Sequence, residues 1–320
     1  VPTRRQLLAA TARLGVVAGA GTGLAGGLLG LSACGADSPA AAPAPDGTVR
    51  VAYGSDPSQF AELSLPGPGP TASSVPAGLP VVVVVHGGYW STGYGLELGR
   101  PLAADLVRAG VAVWNVEYRR VGEGPGGGGG WPATGDDVAA ALDALAGSAV
   151  VTAARRAGVS LDLARVVGLG HSAGGQLVGW LAARSGGSGG ASGGRGTGGQ
   201  VRLRGAVSQA GVLDLVEAAR LGLGGGAVES LLGGTPDSRP RAYAGASPTA
   251  RVPIRVPVCC VHGTDDDVVP ISQSERFVAA DRAAGGTAEL RRVPGGHFEQ
   301  ITVGTPAWAT CRAATLRLLG

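Results

Sequence analysis

Short apolar runs alternate with amphipathic stretches from residue 49 onward. The clearest run is 79–85, a Leu-Pro pair followed by five consecutive valines. β-branched side chains favour the pleated conformation. A run without polar alternation predicts a central strand buried on both faces. Further strands are predicted at 111–117, 166–169, 203–208, 256–261 and 289–293, and an N-terminal antiparallel pair at 49–53 and 59–65. Between them, helical patterns cover 98–109, 136–145, 173–184, 273–284 and 307–319. This alternation predicts an α/β domain over residues 48–320, with a mostly parallel central sheet and helices on both faces. Two glycine-rich runs interrupt it, at 122–130 and at 185–200, the second being a Gly/Ser insertion between a helix and the next strand. Neither ends in the Lys-Ser/Thr of a phosphate-cradling loop, so nucleotide binding on that basis is rejected.

The first 47 residues read differently. Thr3-Arg4-Arg5-Gln6-Leu7-Leu8 resembles a twin-arginine export motif, followed by a Gly-rich, weakly apolar stretch and Leu31-Ser32-Ala33-Cys34-Gly35. The last of these resembles a lipobox, in which the cysteine is lipidated. The expectation is an export signal over 1–33, an Ala/Pro/Ser-rich tether over 34–47, and anchoring to the outer face of a bacterial cell membrane through Cys34. The many glycines make the stretch a poor membrane-spanning helix. Charge adds nothing to this picture. The net charge of +3 comes from Arg4, Arg5 and Arg13, and without them 23 basic residues balance 23 acidic ones. No basic patch with interleaved aromatics appears, so nucleic acid is not an expected partner. All 26 basic residues are Arg, which with 59 Gly reads as GC-rich coding rather than as function. Outside the cytosol a disulfide is allowed. Cys259 and Cys260 are adjacent and on a strand would face opposite ways, so at most one of them could pair with Cys311; three buried thiols are the alternative.

The four histidines carry the candidate chemistry, each inside its own short motif: His86-Gly87-Gly88-Tyr89-Trp90, Gly170-His171-Ser172-Ala173-Gly174, His262-Gly263-Thr264-Asp265-Asp266-Asp267, and Gly295-Gly296-His297. Ser172 sits between a predicted strand and a predicted helix. A Gly-x-Ser-x-Gly pentapeptide in that context turns sharply and exposes the serine oxygen at the sheet edge. The loop after the valine run can converge backbone N–H groups on a substrate carbonyl. Gly88, Tyr89 and Ala173 are the candidate oxyanion donors, each typically worth about 3–4 kcal/mol of transition-state stabilisation. His86 is read as a brace for that loop. Trp90, with Tyr89, is placed at the mouth of the pocket. The base is His297, by elimination of the other histidines; the acid is one of Asp265, Asp266 and Asp267, which the residues alone do not separate. In chain order the motifs then run Ser, Asp, His. The histidines are thereby committed, and Cys259-Cys260 has no partners at zinc spacing, so neither metal nor cofactor is expected.

Over residues 48–316 the chain resembles the α/β-hydrolases of the group that includes bacterial BD-FAE-type esterases and kynurenine formamidases. The resemblance rests on His86-Gly87-Gly88-Tyr89-Trp90, Gly170-His171-Ser172-Ala173-Gly174, Glu117-Tyr118-Arg119 with Trp131-Pro132 and Asp136-Asp137, and His262-Gly263-x-x-Asp266-x-x-Val269-Pro270. It implies an α/β-hydrolase fold and puts the acid at Asp266. Tyr89 stands where longer esterase loops have a third glycine. The implied activity is hydrolysis of a small-molecule carboxylic ester, with arylformamidase as the alternative favoured by the His-Gly-Gly-x-Trp motif. A catalytically silent binding protein is a third reading, opposed by the intact Ser172, Asp266 and His297.

Overall fold

The computed structural model describes residues 43–67, 78–185 and 201–320. The export motif, Cys34 and the Gly/Ser insertion after Ser185 lie outside the described residues. Eight strands form one sheet: β1 (Val49–Ala52), β2 (Phe60–Ser64), β3 (Leu79–Val85), β4 (Ala112–Val116), β5 (Leu161–His171), β6 (Gly205–Gln209), β7 (Val258–Gly263) and β8 (Glu289–Val293). Their order is β1-β2-β4-β3-β5-β6-β7-β8. The pairs β1–β2 and β2–β4 are antiparallel, and every other neighbouring pair is parallel. A sheet with helices covering both faces follows from what β3 contributes. Val81, Val83 and Val85 enter one apolar core with Leu142, Leu145 and Leu177. Val82 and Val84 enter a second core with Leu102, Leu106 and Trp308. Period-two alternation thus divides one valine run between two faces. All five valines are buried, each burial being worth about 1.5–3 kcal/mol.

The helices are α1 (Arg100–Arg108), α2 (Ala133–Asp143), α3 (Ser148–Arg156), α4 (Ala173–Ser185), α5 (Leu215–Arg220), α6 (Ala227–Leu232), α7 (Pro240–Ala246), α8 (Ser272–Ala283) and α9 (Pro306–Leu319). The sequence pattern predicts five of these. It does not predict α3, whose Val150-Val151-Thr152 run lowers helix propensity. Burial of Val150 and Ala154 on one face compensates. Nor does it predict α5, α6 and α7. Helices of six or seven residues are too short to show a 3.6-residue period, and glycines separate them. Among the described residues no single helix is long and apolar enough to cross a membrane. Cys259, Cys260 and Cys311 are free, buried thiols, so no disulfide joins them. Cys259 and Cys311 share one core, and Cys260 lies in the other.

Candidate active site

The parallel strands end along one edge, and the motif residues follow those ends. Ser172 comes after β5 and opens α4. Its backbone is left-handed, with φ 55°, which is unusual for a residue bearing Cβ. The turn is held by Ser172 N–H donating to the Gln209 carbonyl at 2.8 Å, and by the Val212 N–H donating to the Ser172 carbonyl at 3.4 Å. It also needs a bare backbone two residues on. A Cβ on Gly174 would lie 2.1 Å from the Val85 carbonyl oxygen, so α4 packs directly on the end of β3. The Ala173 N–H is among the first of that helix, where N–H groups lack intrahelical acceptors and the helix dipole is positive.

His297 and Asp266 meet because β7 and β8 pair in parallel and their loops leave side by side. Thr264 N–H donates to the Val293 carbonyl at 2.9 Å and Asp265 N–H to the Gly295 carbonyl at 3.0 Å. His297 Nδ1 then lies 2.7 Å from Asp266 Oδ2. The Val268 and Val269 N–H groups donate to Oδ1 at 3.0 and 2.8 Å. His262 approaches Oδ2 at 3.3 Å through Nε2, which also faces the Val269 carbonyl at 2.9 Å. Two oxygen acceptors at Nε2 require it to carry the proton, so Nδ1 accepts from the Ser274 hydroxyl at 2.7 Å. Burial pushes the Asp266 carboxyl up, but hydrogen bonds from His262 and His297, the His297 charge and the Val269 N–H outweigh it. The group is held well below the usual carboxylate range. Asp265 and Asp267 are exposed, whereas the Asp266 side chain is fully covered. Gln300, with its amide oriented to satisfy both sides, donates to the Gly296 and His297 carbonyls at 3.0 Å each and accepts from Gly263 N–H at 2.8 Å. It ties the His297 loop to the end of β7.

His171 joins Ser172 to this pair. Its Nε2 donates to the His297 carbonyl at 2.8 Å, and the two rings lie 4.5 Å apart. Burial and the neighbouring His297 charge push the His171 pKa down to about 3, so the ring stays neutral beside the other imidazole. Gly87 closes the other side. A Cβ there would meet the His171 carbonyl oxygen at 2.7 Å and Ser172 Cβ at 3.1 Å, so the loop after β3 lies against the Ser172 turn. Gly88 and Tyr89 follow at φ 109° and 54°. The loop is braced from behind. His86 Nε2 lies 2.9 Å from Glu117 Oε1, and the His86 ring stacks on Tyr118 at 4.4 Å. Glu117 also accepts from the N–H groups of Tyr118 at 2.9 Å and Leu96 at 3.1 Å, and pairs with Arg120 at 3.1 Å. Burial pushes its carboxyl up; His86, Arg120 and the Tyr118 N–H together bring it below the ordinary value.

The structure relocates one predicted site residue. Trp90 is only 1% exposed and packs in the core, its indole N–H donating to Gln176 at 3.0 Å. Gln176 in turn donates to the Ala246 carbonyl at 2.9 Å. An indole whose N–H finds a buried partner anchors the loop instead of lining its mouth. Tyr89, its neighbour, is half-buried, and its ring lies against Gly224. The sequence reading missed Gln176, Tyr94, whose side chain takes the space a Cβ on Gly88 would fill, and Gly224, which lies against the Tyr89 ring; their proximity is set only by the fold. Arg119 and Asp137, part of the motif resemblance, form a structural pair at 2.7 Å below the site. Among the described residues no cluster of His, Cys, Asp and Glu could hold a metal ion.

This sheet order, with motif residues on loops at the strand ends, defines an α/β-hydrolase fold. A family model places the chain more closely: residues 70–280 match BD-FAE, and the protein belongs to that family. A comparison with curated protein sequences gives no match. Solved structures with the same fold include a truncated carbohydrate esterase from gut microbiota, with 21% identity, 87% of this chain and 99% of that chain covered, and a TM-score of 0.67. Esterase B from Lactobacillus rhamnosis, solved with a tributyrin phosphonate inhibitor, shows 18% identity, 88% coverage of both chains and a TM-score of 0.67. Esterase 2 from Thermogutta terrifontis, solved with propionate bound, shows 21% identity, coverage of 86% and 94%, and a TM-score of 0.62.

Proposed function

We propose that the protein is a serine carboxylesterase in which Ser172 is the nucleophile, His297 the general base and Asp266 its partner. The observation that carries the reading is the His297 Nδ1–Asp266 Oδ2 contact at 2.7 Å, beside the strained Ser172 turn. With Nδ1–H held by Asp266, His297 Nε2 is free to take the Ser172 proton as Oγ attacks the ester carbonyl. The oxyanion is met by backbone N–H groups of Ala173 and of Gly88 or Tyr89. His297 returns the proton to the departing alcohol, leaving Ser172 acylated. A water, activated by the same imidazole, then releases the acid. The esterase names of the solved structures described above favour an ester over a formamide.

The test is turnover of p-nitrophenyl esters of rising acyl length, beside N-formylkynurenine, by the chain from Asp46 onward and by its Ser172→Ala variant. Ester turnover lost in the variant supports the reading. Formamide cleavage with little ester turnover would make the protein an arylformamidase. Silence towards both, in a folded protein, would favour a binding role. We also propose export and lipid anchoring through Cys34, on the motifs at 3–8 and 31–35. Cys34→Ala should release the protein from membranes, and unchanged attachment would exclude it.

A further inference from the structure

Tyr89 follows β3 and Gly224 follows β6 and α5, and these strands are not neighbours: β5, which leads into Ser172, lies between them. Yet the Tyr89 ring packs on Gly224. A Cβ on Gly224 would fall 2.4 Å from Tyr89 Cδ1 and 2.5 Å from Cε1, so the ring occupies the place a side chain would take. The contact joins loops from the two strands that flank β5, and Asp266 and Asp267 are close enough to act on the phenol, which sets the ring beside the proposed catalytic pair. Both ends of this bridge are built for it. Tyr89 and Trp90 are consecutive left-handed residues, each at φ 54°, which turns the phenol out of the loop while the indole is anchored in the core on Gln176. The opposing loop has glycines at φ 62°, 64°, 64° and 89° at positions 222, 224, 225 and 226, and its lip carries the exposed Leu221. Burial, with Tyr94, Asp266 and Asp267 nearby, pushes the phenol up to about 12, so the ring remains neutral across the working range.

We infer that Tyr89 is a specificity-determining residue: its ring, seated on Gly224, roofs the space above Ser172 and restricts the acyl group to short chains. This rests on the esterase reading given above. With the carbonyl oxygen on the loop N–H groups and the leaving oxygen facing His297, the acyl chain takes the remaining direction, under the ring. A longer chain has to displace the phenol from Gly224. Removing the ring opens that path, and each methylene that gains a buried place is then worth about fourfold.

The experiment compares kcat/KM for p-nitrophenyl acetate, butyrate and hexanoate in the wild type, Tyr89→Ala, Tyr89→Gly and Tyr89→Phe. All four keep the N–H at position 89, and Gly suits its left-handed backbone, so folding is secured by at least one ring-less variant. The expected result is a hexanoate-to-acetate ratio raised at least about tenfold in the Ala and Gly variants and unmoved in Phe. A ratio within about twofold of wild type in folded Ala or Gly variants overturns the roof. So does a larger response of the same variants to a series of acetate esters of rising alcohol length, run alongside. The same chain-length preference is measured as binding, by calorimetry, in a Ser172→Ala background with and without Tyr89→Ala. If Ser172→Ala still turns over ester, the nucleophile assignment falls, and the binding ratios still decide the roof.

Discussion

Replacing Asp266 by Asn changes one oxygen into an NH2 group at the His297 contact of the proposed triad. Oδ1 accepts two backbone N–H groups, from Val268 and Val269, so an amide keeps its oxygen there and its NH2 falls at the Oδ2 position. That position faces His297 Nδ1 at 2.7 Å and His262 Nε2 at 3.3 Å. His262 Nε2 has to keep its proton for the Val269 carbonyl, so the only relief is for His297 to present a bare Nδ1. Its proton then moves to Nε2, the nitrogen that has to accept from Ser172. A wrong tautomer of this kind costs about 10⁴-fold in kcat, or about 5.4 kcal/mol at 1.36 kcal/mol per tenfold. Asp265 and Asp267 are exposed, so Asn at either should change kcat less than about threefold, a shift below about 0.7 kcal/mol. The assay is steady-state hydrolysis of p-nitrophenyl acetate by the three variants, with thermal melts to show that each is folded. A folded Asp266→Asn variant within tenfold of wild type, or a larger loss at Asp267, would refute the argument.

Gly87→Ala places a methyl 2.7 Å from the His171 carbonyl oxygen and 3.1 Å from Ser172 Cβ, so the loop has to retreat from the proposed nucleophile; kcat should fall about 100-fold with KM little changed, and an equal rise in KM would contradict this. Glu117→Gln should alter the acid limb of stability. The folded-state pKa of Glu117 lies below its unfolded value of about 4.3, so its contribution is present above that pH and is lost as pH falls through the folded value. Urea melts between pH 3 and 6 should show a shallower fall in the variant; parallel curves would dismiss Glu117 as a source. Burial pushes the Cys259 and Cys311 thiols up to about 12, and Cys260 is buried as well. The chain from Asp46 onward, which lacks Cys34, should therefore react with a thiol reagent only as fast as it unfolds; rapid labelling would show that these sites open.

The sheet was legible where one strand had to be buried on both faces, as at the valine run of β3, and where a helix was long enough to show its period, as at α4 and α9. It was illegible over α5, α6 and α7. Their apolar residues fit no single helical stripe, because each helix is short and packs on its neighbours. The motifs singled out Ser172 and His297 as candidates because glycines at a sharp turn and beside an imidazole leave few alternatives, and the fold brings their loops to one sheet edge. Asp266 stood undistinguished between two other aspartates until family resemblance separated them. Its selection in the fold comes from which carboxylate the loop turns inward, towards two histidines on β7 and after β8. Trp90 misled for a related reason: an aromatic beside an oxyanion loop is read as a pocket wall, whereas its partner, Gln176, lies 86 residues further on. The brace behind His86 brings in Glu117 and Arg120, whose meeting with that histidine is set by the pairing of β3 with β4.

The central claim is that Ser172 is the nucleophile, and covalent labelling tests it most directly. The protein is treated with a fluorophosphonate, digested, and the adduct located by mass spectrometry, with Ser172→Ala as the control. The expected result is a single adduct on the peptide containing Ser172, absent from the variant and suppressed when a hydrolysable ester competes. An unlabelled Ser172 in folded protein that nevertheless hydrolyses esters, or an adduct on another serine, would contradict it.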